Sequence, residues 1–226
     1  MKKLVFLIPF IVVSCISQKI AYRTDNLKAS SEVTAIPINV DVHIFVDNRA
    51  QIKENEVLFN QPRNSSINGK SSCINSEKNY KKDSVSAQMT RMMVEHFNRV
   101  NLFKSVTYNH DELSDYYLTG KLNRIYGEQG FSTAAAVGAQ FGLLGALATS
   151  GAKTKGKIII DISDLKLFKK GGTLVKDLGG FYKEYNEDLS ADAYCWCIYA
   201  NINEKLKDFN SHLVEKLRSD LSGIQF

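Results

Sequence analysis

No catalytic signature occurs anywhere in this chain of 226 residues. It has neither a Gly-x-Ser-x-Gly turn for a serine nucleophile nor a His-Glu-x-x-His pair for zinc. The four histidines, His43, His96, His110 and His212, stand in unrelated settings, and His96 has no partner at the i+4 spacing that would make a metal pair on a helix. No run of Lys and Arg is dense enough to track a nucleic-acid backbone, which removes that class of partner. The nearest approach to a nucleotide motif is Gly151 to Lys157, G-A-K-T-K-G-K. Ile158 follows where a hydroxyl should meet magnesium, and a strand pattern follows where a helix N-terminus should meet phosphate. The reading is a protein that is not an enzyme, with no cofactor and no metal.

Long apolar runs are also lacking. The first is Leu4 to Val13, preceded by Lys2 and Lys3. Ten residues make a helix of only ~15 Å, too short for a hydrocarbon core of ~30 Å. A basic start, a short apolar middle and a small-residue exit are instead the parts of a secretory signal. The exit reads Val12-Val13-Ser14-Cys15. This tetrapeptide resembles the lipobox of bacterial lipoproteins, position by position. The resemblance implies cleavage before Cys15, acyl chains on that cysteine as the lipid attachment, and anchoring in a membrane of the cell envelope. Ile16 stands where an aspartate would retain such a protein at the inner membrane, so the resemblance favours the outer membrane. Loss of residues 1–14 with Lys2 and Lys3 lowers the formal charge from +5 to +3, a mild basicity that suits anionic headgroups only weakly.

Cysteine is scarce. With Cys15 acylated, Cys73, Cys195 and Cys197 remain, an odd number that cannot all pair within one chain. Two apart on an expected helix, Cys195 and Cys197 point about 200° away from each other and cannot bridge. A bridge from Cys73 to one of them, or a role as small buried hydrophobes, stays open.

The remaining chain divides by pattern into a lipidated tether at 15–35 and a single domain at 36–226. The tether has no clean period, and ~20 flexible residues would reach ~25 Å. Ile38 to Asp47 alternates strictly, with Ile38, Val40, Val42, Ile44 and Val46 on the side expected to be buried and His43 on the polar side. Arg49 to Asp83 is a polar loop of mobile composition, with turn signals at Gln61-Pro62 and Asn68-Gly69. Asp83 or Ser84 caps a helix whose stripe is Val85, Met89, Met92, Met93, Phe97 and Val100, with Gln88, Arg91 and Glu95 outward. Short and long strands follow at Ser105 to Asn109 and Tyr116 to Tyr126, with a break in phase near Arg124 that signals a bulge or the strand's end.

Charge is absent from Phe131 to Ser150, an Ala/Gly-rich stretch within an insertion at 131–156. Three readings stand for it: a cap over the sheet, a contact with a partner or a second copy, and a membrane contact. Lys157 to Phe168 and Thr173 to Tyr185 form a hairpin about Lys169 to Gly172, with a phase shift at Ser163-Asp164. Ser190 is expected to cap a long final helix with Ile198, Ile202, Leu206, Phe209, Leu213, Leu217 and Leu221 inward and a bend near Asn210. The fold class is α+β, a mixed or antiparallel sheet of about five strands packed by one amphipathic helix and one long C-terminal helix.

Asp47-x-Arg49 at the end of the first strand, Leu102 to Val106 leading into Asp115 to Gly120, and Asn201 to Leu206 in the last helix carry a second resemblance. It is to the α+β domains of envelope lipoproteins, namely the auxiliary lipoproteins of ABC-type transport systems and the domain like the N-terminal part of TolB. That resemblance implies a non-catalytic binding or scaffolding role, with protein partners in a membrane-associated, transport-related assembly. The alternative is a self-associating or pore-forming component, a homo-oligomer built through the Ala/Gly segment.

Overall fold

The computed structural model describes residues 19–27, 34–49, 65–67, 70–74, 84–109, 113–130, 132–142, 144–145, 151–191 and 197–226. The elements run β1 (Ile36–Val42), β2 (Val46–Asp47), β3 (Ser65–Ile67), β4 (Lys70–Ile74), α1 (Val85–Arg99), β5 (Phe103–Tyr108), β6 (Tyr116–Gly130), α2 (Thr133–Gln140), β7 (Lys153–Lys169), β8 (Leu174–Ser190) and α3 (Cys197–Leu221). This is the expected α+β fold, with α1 and α3 packed on a mixed sheet. The sheet has eight strands because the short β2, β3 and β4 join the five long ones. Strand β6 is its spine: β7 pairs along one edge, while β1, β2 and β4 share the other.

Periodicity explains most of the core. Ser84 caps α1 by accepting the Ala87 N–H, and Val85, Met89, Met93 and Phe97 turn inward. Along α3 every expected inward residue is buried, from Ile198 to Leu221. Both irregularities foreseen in the long strands are present. The register shifts between Leu122 and Arg124 in β6, and between Ile162 and Leu165 in β7, where Asp164 sits at φ 49°. Gly171 and Gly172 both take positive φ in the β7–β8 turn, where a side chain would be strained.

Five expectations are corrected. The alternation through Asp47 does not mark one strand. After Val42 the chain leaves β1, Ile44 and Val46 face solvent, and Phe45 is buried instead. Phe45 lies where Gly120 of β6 has no side chain: a Cβ there would stand 2.9 Å from the ring. The polar loop at 49–83 contains an antiparallel pair, with Ile67 opposite Lys70 across Asn68-Gly69, and β4 extends the sheet against the end of β6. Ser190 ends β8 opposite Lys153 and Ala191 after it is not helical, so Ser190 is a strand residue and not the cap directly before the helix; the described helix α3 is Cys197–Leu221. Helix α3 continues through Asn210 as 25 residues, ~37 Å at 1.5 Å per residue. Lastly, Gln88 is buried and not outward, because the N-terminal segment covers it.

Candidate functional site

Part of the expected tether, residues 19–27, is folded onto the helices. The Ile20 N–H donates to Gln88 Oε1 at 2.9 Å, and Ile20 joins the core. Asn203 of α3 holds the neighbouring backbone from both sides, accepting from the Ala21 N–H at 3.2 Å and donating to the Lys19 carbonyl at 2.9 Å. Tyr22 then enters between α1 and α3. Its hydroxyl accepts from Asn210 Nδ2 at 2.6 Å and meets His96 Nδ1 at 2.9 Å. Burial holds the phenol pKa well above its ordinary value, so the hydroxyl keeps its proton, and the tautomer of His96 sets the direction of the bond to Nδ1. Burial, helped by the Lys207 charge, pushes the His96 pKa down to about 4, which keeps the ring neutral at pH 7. Thr24 Oγ1 donates to Glu95 at 2.6 Å and completes the clamp. The segment therefore cannot sweep the ~25 Å of a free tether.

The helices cover one face of the sheet, and the opposite face carries the second constellation. Strand register sets Thr107, Asp41, Tyr117 and Phe168 in one row across β5, β1, β6 and β7. Asp41 is nearly fully buried; its carboxylate accepts from Thr107 Oγ1 at 3.2 Å and lies 3.2 Å from His43 Nε2. His43 stacks on Tyr117 with centroids 4.9 Å apart, and Tyr117 stacks on Phe168 at 5.1 Å. Three parallel rings beside a carboxylate form a rigid ridge of edges with one oriented imidazole. That Asp41 and His43 share a face of β1 follows from their spacing, but the cross-strand rings depend on registers no local pattern shows.

The Asp47-x-Arg49 motif closes on itself: Arg49 Nε and Nη2 donate to the two carboxylate oxygens at 2.8 and 2.6 Å. These bonds hold the Asp47 carboxyl below the usual carboxylate range. Cys15, the expected lipid attachment, lies outside the described residues, as does Cys195. The backbone of Cys73 pairs with Gln129, and Cys197 is half-buried at the start of α3. Among the described residues, no three His, Cys, Asp or Glu side chains are grouped to hold a metal ion.

No family model and no curated relative matches the chain. Among solved structures, the α+β fold is similar to that of protein XCC0632 from Xanthomonas campestris, described under the family model DUF330. The two are 12% identical over 83% of this chain and 87% of that one, with a TM-score of 0.45. It is also similar to the PelC dodecamer from Paraburkholderia phytofirmans, 7% identical over 84% of this chain and 92% of that one, with a TM-score of 0.34.

Proposed function

We propose that this chain is a lipid-anchored protein of a bacterial cell envelope, most simply at the outer membrane, where it acts as a non-catalytic binding or scaffolding component of a membrane-associated assembly. One observation carries the reading. Only three residues separate Cys15, the end of the tetrapeptide Val12-Val13-Ser14-Cys15, from Lys19 of the clamped segment. Four Cα steps span at most ~14 Å. Acyl chains on Cys15 would thus hold the domain against the bilayer, and the two or three chains such an anchor carries give stable attachment where one is marginal. The half-buried ring row of His43, Tyr117 and Phe168 supplies a surface for a protein partner of that assembly, and a transport-related complex agrees with the resemblance of the body.

The test is acyl-chain labelling of the full chain in a bacterial host. The wild-type protein takes up label and loses residues 1–14, whereas Cys15→Ala stays unlabelled and unprocessed. Equal labelling of the two would end the lipoprotein reading.

A further inference from the structure

Among the described residues of the Ala/Gly-rich stretch, the large apolar side chains face solvent and do not cap the sheet. Val137, Phe141 and Leu144 are 53%, 72% and 79% exposed. Val137 lies in α2, Phe141 directly follows its last residue and Leu144 stands beyond Gly142, where a φ of 66° breaks the helix, while Gly138 within α2 is buried. The described part of this stretch is thus buried at Gly138 and carries three large apolar side chains in solvent. Residues 131–150 contain no Asp, Glu, Lys or Arg.

The fold places this stripe near the exit of the N-terminal segment. Asn203 bonds the Lys19 carbonyl, and Asn201, half a turn earlier in α3, donates to Gln129 Oε1 at 2.9 Å. Gln129 is the penultimate residue of β6, and α2 begins at Thr133. Ile202, between the two asparagines, closes on Gly127 of the same strand, where an added Cβ would stand 2.7 Å from Ile202 Cδ1. Thus Lys19 and the root of α2 sit at one end of the molecule. Exposed Lys19 and Lys153 flank that end together with exposed Glu204, and the acids Glu187 and Asp188 there are paired with Lys205 and Lys155 at 2.6 and 2.8 Å.

We infer that Val137, Phe141 and Leu144 form a second membrane contact, lying in the headgroup layer of the bilayer to which Cys15 is attached. The inference rests on the lipid anchor. An anchor within ~14 Å of Lys19 turns this end toward the bilayer and leaves little depth for a protein layer between them. The contact is interfacial: among the described residues no helix is long and apolar enough to cross a membrane. Apolar side chains of an interfacial helix reach ~5–10 Å below the headgroups. Two attachments, one covalent and one apolar, would fix the orientation of the domain as a single anchor cannot.

The experiment uses the full chain, acylated in its host and reconstituted into vesicles of phosphatidylethanolamine and phosphatidylglycerol. Phe141→Trp and, separately, Leu144→Trp are made in a Trp196→Phe background, which removes the native indole. Tyr182→Trp on the exposed part of β8 is the control. On reconstitution, emission from positions 141 and 144 should shift to the blue and lose intensity to lipids brominated high in the acyl chain, while position 182 stays water-like. The mass of the Cys15 peptide reads the anchor separately. Water-like, unquenched emission at 141 and 144 in protein whose Cys15 is acylated would overturn the inference and leave the anchor intact. Blue-shifted but unquenched emission, with a larger assembly by light scattering, would also overturn it by putting a second copy on the stripe. An unmodified Cys15 would sink the anchor, while quenching at 141 in that same sample would still decide the stripe.

Discussion

Replacing Tyr22 by Phe removes one oxygen from the clamp and tests whether the N-terminal segment is part of the fold. That hydroxyl serves Asn210 at 2.6 Å and His96 at 2.9 Å, and both partners are essentially inaccessible to water. Asn210 Oδ1 already has no hydrogen-bond partner, so the amide has nothing to fall back on. Tyr22→Phe leaves one buried amide donor and one buried imidazole nitrogen unpaired. At ~1–3 kcal/mol for each of the two buried groups left unsatisfied, the cost is about 2–6 kcal/mol, less what the segment recovers by undocking and letting water in. Two assays divide these routes. Urea denaturation followed by circular dichroism reads global stability, and hydrogen exchange at the Ile20 and Ala21 amides reads local docking, because those N–H groups are bonded to Gln88 and Asn203. Faster exchange at both amides is expected, with a lower denaturation midpoint if undocking is incomplete. A variant with wild-type exchange and midpoint would refute the clamp and restore a free tether.

The same site responds to acid. His96 is neutral in the fold with a pKa of about 4, against an ordinary value of 6.5, so the unfolded chain binds the additional proton. Stability should fall with pH between about 6.5 and about 4 by at most ~3 kcal/mol, and His96→Gln should flatten that slope in denaturation at a series of pH values. Gly120→Ala would drive a Cβ to within 2.9 Å of the Phe45 ring. Overpacking of this kind costs ~1–3 kcal/mol, and an unchanged urea midpoint would contradict the packing described. Arg49→Gln should return the Asp47 carboxyl to the ordinary carboxylate range in an NMR titration, since the bonds from Arg49 are what lower it. Tyr117→Ala interrupts the ring row between His43 and Phe168 and should cost ~1 kcal/mol; if the ridge is the partner surface, the anchored variant loses the membrane proteins that the wild type co-purifies.

What the sequence by itself determined were the features with a local cause. The stripes of α1 and α3 follow from 3.6-residue spacing, the β7–β8 turn from Gly171-Gly172, and the phase breaks at Arg124 and Asp164 from the loss of alternation. Asn68-Gly69 marked a turn inside the polar loop, but composition hid the short strands around it, which gain pairing only from the far end of β6. Tertiary structure decided the rest. Phe45 is buried and Ile44 exposed because a glycine 75 positions later leaves room for a ring. Residues 19–27 have no period, since they are held by single side-chain bonds to partners as far away as Asn210, 188 positions along the chain. The row from Thr107 to Phe168 exists only through the registers of four strands. Local propensity acts within a turn or a strand, whereas the hydroxyl of Tyr22, the ridge beside Asp41 and the nearness of Lys19 to α2 depend on which distant surfaces meet.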